Sequence, residues 1–200
     1  MATTYGASAP LTPSTPDTRW RTRDIVIAAV IGVAFGVVFW LWFIVWEGAL
    51  AFLSTFALPV RDLGYAVWLM PAVLAPLIIR KPGAALFAEM VAAGVSALFG
   101  NSWGVDTLLS GFVQGAAAEL IFAFTLYRLW SFPVLAIAAV ASAAAAWVHD
   151  WVLYFAAIDP TIQVIRLVFM AISAVVIVAG GSVALHRSLK SAGVLEGFPD

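Results

Sequence analysis

The chain has 200 residues, 64% of them hydrophobic and only 10% charged, with ten Lys+Arg against eleven Asp+Glu and a formal net charge of −1. Soluble domains run at roughly 45–50% apolar and about 25% charged residues, so this composition excludes an ordinary soluble globule and points to an integral membrane protein. The near-neutral balance excludes nucleic-acid binding through a basic field, and the absence of cysteine excludes disulfides, thiolate metal sites, iron–sulfur clusters and cysteine nucleophiles.

In chain order, residues 1–18 are rich in Thr, Ser, Ala and Pro and read as a flexible tail, without the basic start and apolar run of a signal peptide. Arg19, Arg21 and Arg23 follow as a basic cluster. Six apolar stretches then recur, near 25–46, 63–79, 83–99, 105–127, 132–157 and 163–185, each long enough for a bilayer core of about 30 Å. Backbone inside lipid must satisfy itself, so continuous apolar runs predict helices rather than a barrel. The expected organisation is a six-helix all-α membrane domain over 19–190, followed by a short C-terminal tail at 191–200. Pro59, Arg61 and Asp62 are expected in the loop after the first span, and Arg80-Lys81-Pro82-Gly83 and Gly100 to Gly104 as tight turns.

With six spans both termini fall on one side. Eight basic residues lie there: Arg19, Arg21, Arg23, Arg80, Lys81, Arg128, Arg187 and Lys190, against only Arg61 and Arg166 opposite. That asymmetry predicts both termini in the cytoplasm.

The first span carries Ala28, Gly32 and Gly36 at four-residue spacing, a smooth groove for another helix, belonging either to this chain or to a separate membrane protein. Trp40, Trp42 and Trp46 follow, then Glu47. Trp68 lies in the second span, and Asn101 and Trp103 in the 100–104 turn. Counting Trp147 and Trp151, seven of the nine tryptophans collect toward the predicted outer face, leaving Trp20 and Trp130 at the other boundary. An interfacial anchoring belt and an externally open aromatic pocket both fit that excess.

Ionisable groups inside a membrane are functional candidates by default. Here they are Glu89, Glu119 and Asp150, without a basic neighbour in sequence at the same depth. Protonation, pairing with Arg61 or Arg166, or a cationic ligand would each satisfy them. Glu89 suits a structural role near the Arg80-Lys81 turn as well as ligand contact. On the fourth span, Gly111 and Gly115 permit close helix approach, while Gln114 and Glu119 could read the edge of a heteroaromatic ring or simply bond a neighbouring helix. On the fifth, Trp147, Asp150, Trp151 and Tyr154 follow i, i+3, i+4, i+7 spacing and share one face, suited to a flat cationic ring. His149 points elsewhere and is expected to pack or hydrogen-bond.

Neither Lys81 nor Lys190 has the context of a phosphate loop, no lysine lies mid-span for a retinal Schiff base, and no H-E-x-x-H or G-x-S-x-G string occurs. The residues therefore argue against an enzyme, and against resident metals or cofactors. They leave open a subunit that captures a solute, a proton-coupled transporter of cationic aromatic compounds using Glu119 or Asp150, and a structural subunit whose carboxyls only pack.

The string Arg80-Lys81-Pro82-Gly83-Ala84-Ala85-Leu86 with Glu89, the turn Gly100 to Gly104, and Gly111 through Gln114-Gly115 to Glu119-Leu120 resemble the YkoE family over about residues 20–190. These are substrate-binding S components of energy-coupling-factor (ECF) vitamin transporters. The resemblance implies a six-helix S-component bundle in a bacterial plasma membrane. It also implies capture of thiamine or its hydroxymethylpyrimidine precursor from outside. A transmembrane coupling protein and two ATPase subunits would drive release by toppling the S component, with Ala28, Gly32 and Gly36 docking the coupling protein.

Overall fold

The computed structural model describes residues 18–198, and among these every regular element is helical. Five helices are long and apolar enough to cross a membrane: α1 (Thr22–Glu47), α2 (Leu58–Ile79), α4 (Asp106–Phe124), α5 (Phe132–Leu153) and α6 (Pro160–Ser191). The shorter apolar helix α3 (Ala84–Leu98) lies between α1 and α4 and completes six spans. The stretch assigned to a flexible N-terminal tail lies outside the described residues up to position 17.

Helix α2 is the centre of the bundle. Every residue from Pro71 to Ile79 is buried, and the other helices pack around them. A central helix has no lipid-facing side, which is why its apolar residues show no stripe. Its start differs from the sequence expectation. Arg61 and Asp62 are not loop residues but buried helical ones, because Pro59 is tolerated in a first helical turn and both charges find partners inside the bundle. The chain runs as a 3₁₀ helix over Asp62–Leu69 before Pro71 opens the α-helical half.

Helix α1 divides cleanly. Val26, Val30, Val33, Val37 and Leu41 are exposed in the isolated chain and suit lipid, whereas Ala28, Gly32 and Gly36 face α3. A Cβ on Gly32 would sit 2.6 Å from the Val91 Cβ, and one on Gly36 2.5 Å from the Val95 Cβ. The groove is thus filled by this chain's own α3. Ala28, Gly32 and Gly36 therefore pack within this chain, the first of the two readings that their spacing allowed.

Helix α6 starts on Asp159, whose side chain accepts the Thr161 backbone N–H at 2.7 Å, a bond that holds its carboxyl below the usual range. One widened π turn interrupts α6 at Ala174–Gly180, beside α5 and α2. The two ends of the described stretch meet at one end of the bundle. The Trp20 indole N–H donates to the Pro82 carbonyl at 2.8 Å, the Arg23 guanidinium lies over the Phe198 ring, and Leu195 is buried there against α2 and α3 residues.

Candidate functional site

At the end opposite the termini the helices part around a cavity of about 290 Å³, close to the low end of the roughly 300–1,000 Å³ of small-molecule sites. Its walls follow from local periodicity. In a 3₁₀ helix residues three apart eclipse, so Asp62, Tyr65 and Trp68 of α2 line one edge and all face the cavity. On α4, Asp106, Ser110, Gly111 and Gln114 form an α-helical face, and on α3 Glu89, Ala93 and Ser96 do the same. Helix α1 adds Phe39, Trp46 and Glu47, α5 adds His149 and Asp150, and α6 adds Arg166.

Burial sets the depth. Glu47, Asp106 and Tyr154 are partly open and mark the mouth, whereas Glu89, Gln114 and Tyr65 are buried and mark the closed end. Gln114 lies eight residues below Asp106 on α4, about 12 Å of helix rise.

The aromatic wall is an edge-to-face cluster. Trp68 lies with its ring centroid 4.8 Å from Trp46, 5.4 Å from Tyr65 and 5.4 Å from Trp103, and its indole N–H donates to the Phe39 carbonyl. Such pairs hold each other rigid and leave ring faces available to a flat ligand.

The polar wall is a connected network. The Gln114 amide donates to the Tyr65 hydroxyl at 3.3 Å, and that hydroxyl donates to Asp150 Oδ1 at 3.4 Å. The His149 ring bridges Asp150 at 3.0 Å and Asp106 at 3.1 Å, and the Tyr154 hydroxyl donates to Asp106 as well. Arg166 donates to Asp62 through Nε at 2.7 Å, and Arg61 to Glu47 at 3.2 Å while lying over the Trp46 ring. The lining holds five carboxyls (Glu47, Asp62, Glu89, Asp106, Asp150) against two guanidinium groups and one imidazole. Pairing occupies both guanidinium groups and the imidazole, and Glu89 touches none of them.

Of the residues singled out from sequence, Glu89, Gln114, Asp150, Tyr154, Trp68 and Trp103 line this cavity. The other five do not. Glu119 accepts the backbone N–H groups of Gly83 at 2.6 Å and Ala85 at 2.9 Å and the Tyr127 hydroxyl at 2.7 Å, so it caps the first turn of α3. Trp147 donates to the Gln163 carbonyl and packs on Trp151, toward α6. Trp40 pairs with Phe99, beyond the cavity lining. The Asn101 side chain accepts from the backbone of Trp103 and Gly104 and from the Thr107 hydroxyl, which shapes the turn beneath Trp103. Sequence reasoning missed Tyr65, Asp62, Trp46 and Asp106 as site residues, and a three-residue period in 62–68 is the signal that finds the first two; His149 hydrogen-bonds as expected, but to two carboxyls of the lining rather than on a different face.

A multi-pass membrane protein, helical throughout its described residues, with a buried, aromatic and acidic cavity opening between helix ends is a solute-binding membrane component. Residues 23–145 match the family model of permease components of ABC-type cobalt transport systems. The protein YkoE of Bacillus subtilis (strain 168), named an HMP/thiamine permease, is 37% identical over 180 residues, 90% of this chain and 89% of that one. A crystal structure of an S-component of an ECF transporter has 34% identity and a TM-score of 0.84, covering 90% of each chain. The chain belongs to this family: it is a substrate-specific S component of an ECF transporter, a multi-pass membrane subunit that works with partner subunits on a small-molecule substrate.

Proposed function

We propose that the cavity captures thiamine or hydroxymethylpyrimidine from the external face, for uptake driven by a transmembrane coupling protein and two ATPase subunits. The observation that carries this reading is the excess of carboxyls over cations in an otherwise aromatic, buried cavity. Thiamine joins a flat aminopyrimidine to a cationic thiazolium. An aromatic wall attracts its rings by stacking and cation–π contact, and an uncompensated carboxylate attracts its charge. A metal cargo is a poorer match, since among the described residues no group of three or more His, Asp or Glu is set to hold an ion. The basic residues at the terminal end favour an orientation with both termini in the cytoplasm of a bacterial plasma membrane and the cavity mouth outside.

Asp150, Tyr65 and Gln114 are the polar contacts we assign to the ligand, with Trp68, Trp103 and Tyr154 forming the ring-facing walls. Calorimetry of the purified chain with thiamine and with hydroxymethylpyrimidine tests the reading. Micromolar or tighter binding without partner subunits is expected, and the absence of heat with both compounds would remove this ligand class.

A further inference from the structure

The turn between α4 and α5 has an unusual backbone. Helix α4 ends in two bonds, Leu126 N–H to the Ala123 carbonyl at 2.8 Å and Tyr127 N–H to the Phe122 carbonyl at 3.0 Å. That pattern puts Leu126 at the left-handed position just past the helix, where glycine is the usual residue. Leu126 has a φ of 53° and Tyr127 one of 56°. A side chain in that conformation brings its Cβ against the following carbonyl, a cost that glycine escapes. The chain uses glycine in the turns after α3 and α6, where Gly100 and Gly193 have φ of 83° and 76°. Packing within the chain does not account for the leucine, because Leu126 is 63% exposed.

The exposed side chains of the turn continue a lipid-facing surface. Leu120 and Phe124 are exposed at the end of α4 and Phe132 at the start of α5, and Leu126 and Leu129 bridge them. The turn also satisfies its own polar groups. The N–H groups of Thr125, Leu126, Tyr127 and Arg128 bond to carbonyls of α4 and the turn. The Thr125 hydroxyl donates to the Phe122 carbonyl, the Tyr127 hydroxyl to Glu119, and the Trp130 indole to the Tyr127 carbonyl. A turn built for water can leave such groups to the solvent, whereas one at lipid depth must pair them internally. Arg128 is the single charged residue of 120–148, and a lone arginine close to a tryptophan suits the headgroup level.

We infer that the α4–α5 turn is a membrane hook: Leu126 and Leu129 insert into the lipid leaflet at this end of the bundle, with Arg128 among the phosphates. Glu119 ties the hook to the start of α3, since the same carboxyl accepts from Tyr127, Gly83 and Ala85. The hook thereby fixes the depth of α4 and α5 in the membrane, and with it the height of the cavity wall that they supply.

Cysteine is absent from the chain, so one introduced thiol reports one position. Leu126→Cys, Ile137→Cys within α5 and Ala192→Cys beyond α6, all at exposed positions, are placed in lipid nanodiscs, where both membrane faces are open, and treated with a charged maleimide. A thiol held in lipid stays protonated, so Leu126→Cys should react at least about tenfold more slowly than Ala192→Cys and as slowly as Ile137→Cys, with the three rates converging in SDS. Equal rates for Leu126→Cys and Ala192→Cys in nanodiscs would overturn the inference. So would protection seen only in membranes that also hold the partner subunits, which would assign the turn to a protein contact. Leu126→Gly suits the left-handed backbone and should keep the unfolding midpoint in detergent at or above that of the wild-type chain. A lower midpoint would mean that the leucine packs inside the chain, contrary to the inference.

Discussion

Single side chains decide which polar groups serve the ligand and which serve the fold. The Asp62–Arg166 pair is almost fully buried, so removing one member strands a charge in low dielectric. Asp62→Asn should destabilise the detergent-solubilised chain by about 3–5 kcal/mol, read as a fall in its unfolding midpoint, and Asp62→Asn with Arg166→Gln should recover most of that loss. Glu119 supplies the opposite case. It lies outside the cavity and caps α3, so Glu119→Gln should lower thermal stability and change thiamine affinity less than about twofold, since a displaced cap costs roughly 1 kcal/mol of fold stability. A tenfold loss of affinity would put Glu119 in the site after all. Asp150, Gln114 and Glu89 were legible in sequence because polar groups inside apolar spans stand out. The role of Glu119 was not, since the amides it serves lie 36 and 34 residues away. Trp147 and Trp151 share the general side of Asp150, but a helical face is wide, and theirs turns to α6.

The helices obey different packing logics, and each left a different trace in the sequence. α1 reads directly, because small residues every fourth position mark the side against another helix. What spacing could not reveal was whether that helix belonged to the same chain. Gly36→Ala should cost about 1–3 kcal/mol by forcing a methyl against Val95, whereas Val33→Ala on the exposed side should stay within about 0.5 kcal/mol; thermal unfolding in detergent separates them. Equal effects would mean that α1 does not pack on α3 as described. α2 was harder to read because Pro71–Ile79 is buried on every side, and because the stretch before it, Asp62–Leu69, is 3₁₀ rather than α-helical. Asp62, Tyr65 and Trp68 fall in line only at a period of three, so an α-helical template scatters them. The short α3 keeps its place through neighbours rather than length, fixed between α1 and α4 by glycines on both.

For the whole molecule, charge placement and cavity position make one argument. Cations gather at the terminal end, while the lining at the opposite end carries more carboxyls than it can pair. The six-span architecture was legible from hydropathy because lipid imposes long apolar runs. The cavity's exact lining was not, because it depends on helix rotations that hydropathy does not encode. The native chain contains no cysteine, so single cysteines report topology on an unmodified background. In intact cells Phe52→Cys, exposed beyond α1, should react with an impermeant thiol reagent, and Ala192→Cys, just after α6, should not. The reverse pattern would place the cavity mouth in the cytoplasm. The central claim, that this cavity and no other surface binds the ligand, is tested most directly by thiamine affinity in two neighbouring variants. Asp150→Asn, within the lining, should weaken binding at least about tenfold, on the order of 1.4 kcal/mol, while Trp151→Ala, outside it, should leave affinity near wild type. Normal binding by Asp150→Asn together with a large loss in Trp151→Ala would contradict the account.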